Sequence, residues 1–153
     1  MHRLGVYLSS LDGMDTPIGR LGVVVKQGRV REVRFGGRSP DDDPASRQLA
    51  EYFAGERKKF ELPLDLSSVT PFRAEVLREL SKVPYGETTT YTELARAVGN
   101  PKAVRAVGSA CATNPLPILI PCHRVLRADG SLGGYRGGEA AKRFLLRLEG
   151  IDV

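Results

Sequence analysis

The 153-residue chain predicts a mixed α/β (α+β) protein, with an antiparallel sheet and a helix in its N-terminal part and a helical C-terminal part. Three observations support this class. Short β-rich runs with turn residues between them fill residues 4–35, helix-capping patterns dominate after residue 70, and a connector that contains proline lies between the two parts. Apolar residues make up 41% of the chain and charged residues 27%, which is typical of a globular protein.

Three strands are predicted near the N-terminus, paired as an antiparallel meander. Residues 4–11 and 21–26 are rich in β-branched and other apolar side chains. A Gln-Gly turn at 27–28 leads into residues 30–35, where apolar and polar side chains alternate. A helix is predicted to follow over residues 45–54, and a glycine ends it.

A boundary between two domains is predicted at residues 62–69, a polar segment that contains proline. One domain covers residues 1–66 and the other covers residues 70–153. The second domain is predicted to begin with a helix whose first position is Pro71, because proline fits the first turn of a helix. Its last predicted helix spans residues 139–149.

A helix-turn-helix candidate lies between these two helices. Residues 90–93 form a capping box that opens a short helix through Val98. Gly99 turns the chain, and Asn100-Pro101 is predicted to cap and begin a second helix that runs to about Ala112. Two short helices joined by a tight turn are a common DNA-binding unit.

The charge of the chain favours an acidic partner, since the net charge is +5 and the pI is about 9.5. The basic excess is concentrated in residues 91–127, which hold a single acid, Glu93. The basic residues of this stretch are Arg96, Lys102, Arg105, Arg124 and Arg127. Charge alone is compatible with a solvated basic face and with a nucleic-acid surface.

The cysteine count and the apolar runs exclude several classes of protein. Cys111 and Cys122 are too few for a disulfide scaffold or for a zinc site built mainly from thiolates. No apolar run approaches the roughly 18 residues of a membrane span, and the first residues lack the pattern of a signal peptide. We therefore expect a cytoplasmic protein without a membrane partner and without a bound metal ion.

The second helix of the candidate pair has one face of small residues. Gly108, Ser109 and Ala112 share this face, and Arg105 projects from it. A glycine inside a helix costs about 1 kcal/mol relative to alanine, so Gly108 should have a packing or contact reason. The face could approach a partner closely, or it could pack against another helix with Arg105 in a salt bridge. Cys111 falls on the opposite, core-facing side.

The second cysteine follows an apolar run, residues 116–120, that is expected to be buried. Cys122 needs a base or a positive field to become a thiolate, the form that attacks as a nucleophile. The adjacent His123 diverges from it in a helix or a strand, so a bridging water is the simpler link. A buried thiol beside an unrelated histidine is the alternative.

Two further features surround this pair. Glu149 lies at the edge of an apolar stripe in the last turn of its helix, where the helix dipole disfavours a carboxylate, so a partner such as protonated His123 is expected. An exposed Glu149 paired with Arg147 is the alternative. The glycine-rich segment 130–138 suggests a loop whose backbone approaches a ligand, with Tyr135 available to stack on it.

Together these residues resemble the O6-alkylguanine-DNA alkyltransferase family, also called methylated-DNA–protein-cysteine methyltransferases. The matching segments are Arg105-Ala-Val-Gly108, Asn114-Pro115, Ile118-Leu-Ile-Pro-Cys-His-Arg-Val125, and then Gly130, Gly133, Tyr135, Gly138, Lys142 and Glu149. The resemblance covers residues 70–151 closely and residues 1–66 in general pattern. It implies a ribonuclease-H-like N-terminal domain and a helical C-terminal domain whose helix-turn-helix enters the minor groove of double-stranded DNA.

The resemblance also implies a reaction. Cys122 would be kept as a thiolate by a chain of Glu149, His123 and a water, and would take the alkyl group from O6-alkylguanine, or O4-alkylthymine, in a flipped nucleotide. Tyr91 would contact the target's 3′ phosphate and donate a proton, and Asn114 would tie the turn to the active-site loop. The monomeric protein would be consumed after one transfer and would need no cofactor.

Several residues are implied to contact DNA or the flipped base. Arg105 would fill the gap left in the base stack, Tyr135 would border the guanine, and the backbone carbonyls of Cys122 and Val125 would accept its amino group. Further contacts are expected from Thr92, Gly108, Ser109, Arg124 and Arg136. Arg136 stands where other members have a small residue.

Three other functions remain open at this point. The first is a binder that senses alkylated DNA without reacting, although the cysteine that such proteins replace is present here as Cys122. The second is a helix-turn-helix regulator with an incidental thiol. The third is a thiol hydrolase that uses Cys122, His123 and Glu149.

Overall fold

The computed structural model describes residues 7–9, 13–36 and 43–153, which fall into two compact units, Met1–Asp65 and Leu66–Val153. The mixed α/β class predicted from the sequence is confirmed. Within the described residues, no helix is long and apolar enough to cross a bilayer.

The described part of the first unit is an antiparallel sheet with one helix. Its strands pair in chain order, and they are β1 (Tyr7–Ser9), β2 (Gly13–Thr16), β3 (Gly19–Lys26) and β4 (Arg29–Phe35). The strands predicted at 21–26 and 30–35 are confirmed, whereas of the strand predicted at 4–11 only β1 lies within the described residues.

Strand β2 was not predicted, because its sequence Gly-Met-Asp-Thr has little strand propensity of its own. It forms because both neighbouring strands offer partners. Met14 pairs with Leu8 on one side and with Leu21 on the other. Cross-strand pairing of this kind is tertiary context that a local pattern does not contain.

The helix of this unit, α1 (Pro44–Phe53), begins one residue before its predicted start and ends one residue before its predicted end. Asp43 caps it, since its carboxylate accepts hydrogen bonds from the backbone N–H and the hydroxyl of Ser46 at 2.9 and 2.6 Å. Leu49 and Tyr52 on its inner face are fully buried, as is Leu21 of β3. The connector also pairs with β4, because the Val30 N–H donates to the Pro63 carbonyl at 2.9 Å.

The second unit is mainly helical and carries a small parallel strand pair. Its elements are α2 (Pro71–Leu80), β5 (Thr89–Thr90), α3 (Tyr91–Ala97), α4 (Val104–Ala112), a 3-10 turn (Cys122–Arg124), β6 (Val125–Leu126) and α5 (Glu139–Leu148). Strands β5 and β6 pair through Thr89 with Val125 and Thr90 with Leu126. Strand β5 directly precedes α3 and β6 directly follows the 3-10 turn, so their pairing joins these two segments. The pair was not predicted from the sequence.

The helix-turn-helix candidate forms as α3 and α4. The predicted N-cap at Thr90 is confirmed, because Thr90 Oγ1 accepts from the Glu93 N–H at 3.1 Å. The Thr90 hydroxyl also donates to the Glu93 carboxylate at 3.3 Å. The predicted cap at Asn100 is wrong. The Asn100 carbonyl accepts from the Ala103 N–H at 3.0 Å in a separate turn, so α4 begins only at Val104.

Candidate active site

The backbone before Cys122 is buried and braced by Asn114. Every residue of the apolar run 116–120 is buried, as predicted, and Ile118 adopts a φ of 73°, which is uncommon for a β-branched residue. The Asn114 side chain donates to the Ile120 carbonyl at 3.0 Å and accepts from the Leu116 N–H at 2.9 Å. These two bonds fix the end of the run and deliver Cys122 in the 3-10 turn, where it is 5% exposed.

His123 and Glu149 form a buried pair beside this thiol. The His123 Nε2 atom and a Glu149 carboxylate oxygen are 2.7 Å apart, and neither side chain is exposed. On the other side of the imidazole ring, Nδ1 is buried and has no hydrogen-bond partner within the described residues. The pair therefore leaves one ring nitrogen available to accept a proton.

Arg124 corrects an expectation, because it holds Glu149 rather than DNA. Its guanidinium donates to both Glu149 oxygens, from Nε at 2.8 Å and from Nη2 at 3.0 Å, and donates to the Val83 carbonyl from Nη1 at 2.7 Å. The side chain is 8% exposed, so the DNA contact expected for it is wrong. The Gly86 N–H also donates to Glu149 at 3.1 Å, so the carboxylate accepts from donors on three residues.

The expectation that Glu149 should have a partner is met twice, by His123 and by Arg124. The alternative pairing with Arg147 does not occur, because Arg147 Nε donates to the Val153 carbonyl at 2.9 Å. The buried carboxylate is thus compensated by one permanent cation and one titratable ring, an arrangement that removes the penalty of an isolated buried charge.

Burial shifts the pKa values of Cys122 and His123 in the directions that favour their neutral forms. Burial raises the pKa of the Cys122 thiol, although a hydrogen bond from Asn114 and the charges of Lys142 and Arg136 act in the opposite direction. Burial also lowers the pKa of His123, against the opposing effect of Glu149. Desolvation disfavours both charged forms, so these directions favour a neutral thiol and a neutral imidazole at rest over the thiolate that the resemblance implies.

A cavity of about 370 Å³ opens next to the Cys122 thiol. Its lining includes Tyr91, Gly108, Cys111, Tyr135 and Arg136. The cavity thus brings together residues from α3, α4, the 3-10 turn and the glycine-rich segment, all within the second unit. A volume of this size fits the range of small-molecule sites.

The tyrosines of the cavity are both held in their protonated form. Burial raises the pKa of Tyr91 and raises that of Tyr135 well above its ordinary value. Gly133 makes room for the first of these rings, because a Cβ atom there would lie 3.1 Å from the Tyr91 hydroxyl and the glycine has a φ of 72°. Tyr91 is therefore a hydroxyl donor at neutral pH.

Cys111 lines the same cavity but differs from Cys122 in its surroundings. It lies on the core side of α4, as predicted, and is buried. Burial, with a smaller effect of the nearby Cys122, raises its pKa to about 12. With its thiol held protonated and no base assigned to it, Cys111 is the less reactive of the two cysteines.

Lys142 is a site residue for which no role was predicted from the sequence. It is fully buried, and its ammonium donates to the carbonyls of Val125 at 2.6 Å, of Gly134 at 3.3 Å and of Leu132. Burial lowers its pKa to about 8. The bonds tie α5 to the active-site turn and to the glycine-rich segment. The sequence did hold one indication of this role, because a lysine on the apolar stripe of α5 needs buried hydrogen-bond acceptors.

The remaining predicted residues lie around the cavity or on α3 and α4. Arg105 is exposed in the first turn of α4, and Thr92 is half-buried on α3. Gly108 lines the cavity, whereas the Ser109 hydroxyl accepts from Arg73 Nη2 at 3.0 Å. The Val125 carbonyl, expected to bind guanine, already accepts from Lys142 and retains one lone pair.

The fold and the site define a protein that joins a helix-turn-helix to a buried cysteine, which is followed in the chain by a histidine paired with a glutamate. Two family models match the chain. Residues 71–151 match the DNA binding domain of 6-O-methylguanine DNA methyltransferase, and residues 11–66 match its ribonuclease-like domain. The chain therefore belongs to the 6-O-methylguanine DNA methyltransferase family, whose members are enzymes of direct-reversal DNA repair. The predicted family is confirmed.

Curated relatives and solved structures agree with this assignment. The chain is 50% identical over 115 residues to the constitutive methylated-DNA–protein-cysteine methyltransferase of Bacillus subtilis. This alignment covers 74% of the chain and 69% of the relative. The chain is 54% identical over 106 residues to that of Methanosarcina acetivorans, covering 69% and 67%. The Mycobacterium tuberculosis OGT structure in complex with DNA has a TM-score of 0.82 and 42% identity, covering 88% and 89%.

Proposed function

We propose that this protein repairs O6-alkylguanine in double-stranded DNA by moving the alkyl group irreversibly onto Cys122. The observation that carries the proposal is the position of this thiol. It borders a cavity large enough for a small ligand and follows directly on the buried Asn114 brace. Its chain neighbour His123 is paired with Glu149 at 2.7 Å, so a base and its orienting carboxylate are next to the acceptor.

The proton of Cys122 moves to His123 as the sulfur attacks. The neutral imidazole holds its Nε2–H toward Glu149, so Nδ1 accepts the thiol proton through a bridging water. Glu149 then stabilises the imidazolium that forms. Because the thiol and the imidazole are both neutral at rest, the charge pair exists only while the reaction proceeds.

The transfer is a single displacement at carbon. A lone pair of Sγ forms the new S–C bond, the bond between that carbon and O6 breaks, and its electrons pass to the guanine. Tyr91, which is protonated at neutral pH, supplies a proton to the leaving base, and the proton taken up by His123 leaves to solvent as Tyr91 is reprotonated. The thioether is stable, so each molecule reacts once. O4-alkylthymine presents the same alkyl–oxygen bond and is a second substrate.

DNA reaches the site through the surface of α3 and α4, with the nucleotide flipped out of the duplex. The small residues of α4 allow the helix backbone to approach the minor groove, and the exposed Arg105 fills the space left in the stack. In the cavity the flipped base lies beside Tyr135, with the Val125 carbonyl as acceptor for its amino group. Thr92 and Ser109 contribute to this surface from α3 and α4, and Asn114 holds the backbone that leads to Cys122. The protein acts as a monomer.

A damage sensor that binds without reacting is the less favoured function, because the acceptor thiol is present and the relatives are named as methyltransferases. The proposed location is the cytoplasm, since both cysteines are free thiols and a reactive thiol is preserved in a reducing compartment.

Intact-protein mass spectrometry after incubation with duplex DNA that contains O6-methylguanine tests the proposal. The wild-type protein is expected to gain the mass of one methyl group and no more. Cys122→Ser should show no gain, whereas Cys111→Ser should gain one methyl group as the wild type does. No gain in the wild type would support the damage sensor, and a gain that survives in Cys122→Ser would rule out this acceptor.

A further inference from the structure

Tyr91 and Arg127 leave the small strand pair side by side. Strands β5 and β6 run parallel, and their last paired residues are Thr90 and Leu126. The next residue after β5 is Tyr91 and the next after β6 is Arg127, so both follow the same end of the pair. Because paired strands lie about 4.8 Å apart, this register brings the backbone of an arginine next to that of Tyr91.

The two side chains also converge, at Gly133. A Cβ atom at Gly133 would lie 3.1 Å from the Tyr91 hydroxyl and 3.5 Å from Cγ of Arg127, so both side chains border the space that this glycine leaves open. Burial raises the pKa of Tyr91, and the thiols of Cys111 and Cys122 raise it further, whereas the charge of Arg127 lowers it. The guanidinium is therefore close enough to act on the hydroxyl.

The backbone of Arg127 is fixed, while its guanidinium has no partner among the described residues. The Arg127 N–H donates to the Ser131 carbonyl at 2.9 Å, and the Arg127 carbonyl accepts from the Gly130 N–H at 2.8 Å. Asp129, the acid of this turn, accepts from the N–H and the hydroxyl of Ser131 at 2.9 and 2.7 Å. The exposed guanidinium thus carries a charge that is free to stabilise a negative group beside it.

We infer that Arg127 is a positioning residue of the transfer reaction, which stabilises the phenolate that forms when Tyr91 gives its proton to the departing guanine. The inference rests on the proposed function and deepens it. It commits to the phenolate as the partner of Arg127. A phosphate of the DNA backbone is the competing partner, because Arg127 is exposed and belongs to a basic stretch.

The transfer reaction creates a negative charge on the Tyr91 oxygen. As Cys122 Sγ forms the S–C bond and the bond from carbon to O6 breaks, the electrons of the broken bond pass to the guanine. The Tyr91 O–H bond also breaks, its proton goes to the guanine, and its electron pair stays on the phenol oxygen until solvent returns a proton. A guanidinium beside this oxygen lowers the energy of the charge and makes Tyr91 a better general acid.

A double-mutant cycle on two substrates tests the inference. The substrates are the free base O6-methylguanine, which carries no phosphate, and duplex DNA that contains one O6-methylguanine. The proteins are the wild type, Arg127→Gln, Tyr91→Phe and the variant with both substitutions. The single-turnover rate of methyl transfer is followed by intact-protein mass spectrometry, and the unfolding midpoint of each variant checks that it is folded.

Tyr91→Phe is expected to slow transfer about a hundredfold, the effect of losing a general acid. Arg127→Gln should slow transfer about fivefold on both substrates, the fold-change of one exposed charge interaction. In the Tyr91→Phe background the same substitution should have no effect on the free base, since no phenolate forms. Arg127→Lys keeps the charge and should keep most of the rate. The matched control is Arg147→Gln, an exposed arginine that does not line the cavity, and it should leave the rate unchanged.

Three results would overturn the inference. A loss in Arg127→Gln on duplex DNA alone would assign Arg127 to a phosphate. An equal loss with and without the Tyr91 hydroxyl would show that Arg127 acts on another group, and a loss in Arg127→Lys as large as in Arg127→Gln would show that its charge is not what matters. Failure of the wild type to take up a methyl group from duplex DNA would instead contradict the proposed function itself.

Discussion

The two units of the molecule use buried polar side chains in different ways. Among the described residues of the first unit, the buried polar residues are Thr16, Asp43 and Ser46. Each bonds to a residue three or fewer positions away, in a turn or at a helix end. In the second unit they are Asn114, His123, Arg124, Lys142 and Glu149, and most of these bond to residues far away in the chain.

The difference lies in how many ionisable side chains are buried and in what they bind. In the first unit the buried groups satisfy local backbone donors, which stabilises a turn and the start of α1. In the second unit a carboxylate, an arginine, a lysine and an imidazole are buried around one thiol, although apolar residues could fill the same volume at lower risk. Buried charge that converges on a nucleophile marks the functional half of the molecule.

The largest expected effect comes from breaking the buried ion pair. Arg124→Met leaves the Glu149 carboxylate without its permanent cation, and the free energy of unfolding should fall by about 3–5 kcal/mol. Urea denaturation measures the change. Arg143→Met is the control, because its pair with Glu139 lies at the surface and should cost about 1 kcal/mol or less. Equal losses in the two variants would remove the contrast between buried and exposed pairs.

The exposed Arg105 is expected to affect DNA rather than stability. Arg105→Ala should slow methyl transfer from duplex DNA by roughly ten- to hundredfold, because an unfilled gap in the stack costs a few kcal/mol. Transfer from the free O6-methylguanine base should be unchanged, and so should the unfolding midpoint. Equal loss on duplex and free base would argue against the role of Arg105 as the residue that fills the stack.

The pH dependence of the transfer rate tests whether Cys122 and His123 are both neutral before the reaction. Burial lowers the folded-state pKa of His123 below its ordinary value of 6.5, and only the neutral ring accepts the thiol proton. The transfer rate should therefore stay level around neutral pH and fall as pH drops through that lowered pKa, by about tenfold per pH unit.

The free energy of unfolding also falls below pH 6.5, because the unfolded chain binds a proton at His123 before the folded protein does. Folding is therefore checked by circular dichroism at each pH. An acid limb centred above pH 6.5 would show that Glu149 outweighs burial.

The smallest effect is expected in the first unit. Asp43→Ala removes the cap of α1 and should lower the free energy of unfolding by about 1 kcal/mol, with transfer per folded molecule unchanged. Asp15→Ala is the matched control, because its pair with Arg20 is exposed and long at 3.6 Å. If Asp43→Ala cost as much as Arg124→Met, the distinction drawn between local and long-range buried groups would not hold.

Patterns within a few residues of sequence predicted those elements of the fold that depend on neighbouring residues alone. The capping box at Thr90, the proline at the start of α2 and the alternation in β4 each predicted an element that the structure contains. Strand β2 and the pairing of β5 with β6 escaped prediction, because both depend on partners supplied by other segments. The start of α4 was misplaced, because a turn at Asn100 satisfies the backbone before the helix begins.

The same division applies to the candidate site. The sequence by itself determined the family, the candidate acceptor thiol and the need of Glu149 for a partner, because these follow from residue types, their spacing and their helical positions. Only the tertiary structure decided that Arg124 binds Glu149, that the Lys142 ammonium donates to three carbonyls, and that burial raises the pKa of the Cys122 thiol. The physical reason is desolvation, which depends on what packs around a group from distant parts of the chain and is invisible in the local pattern.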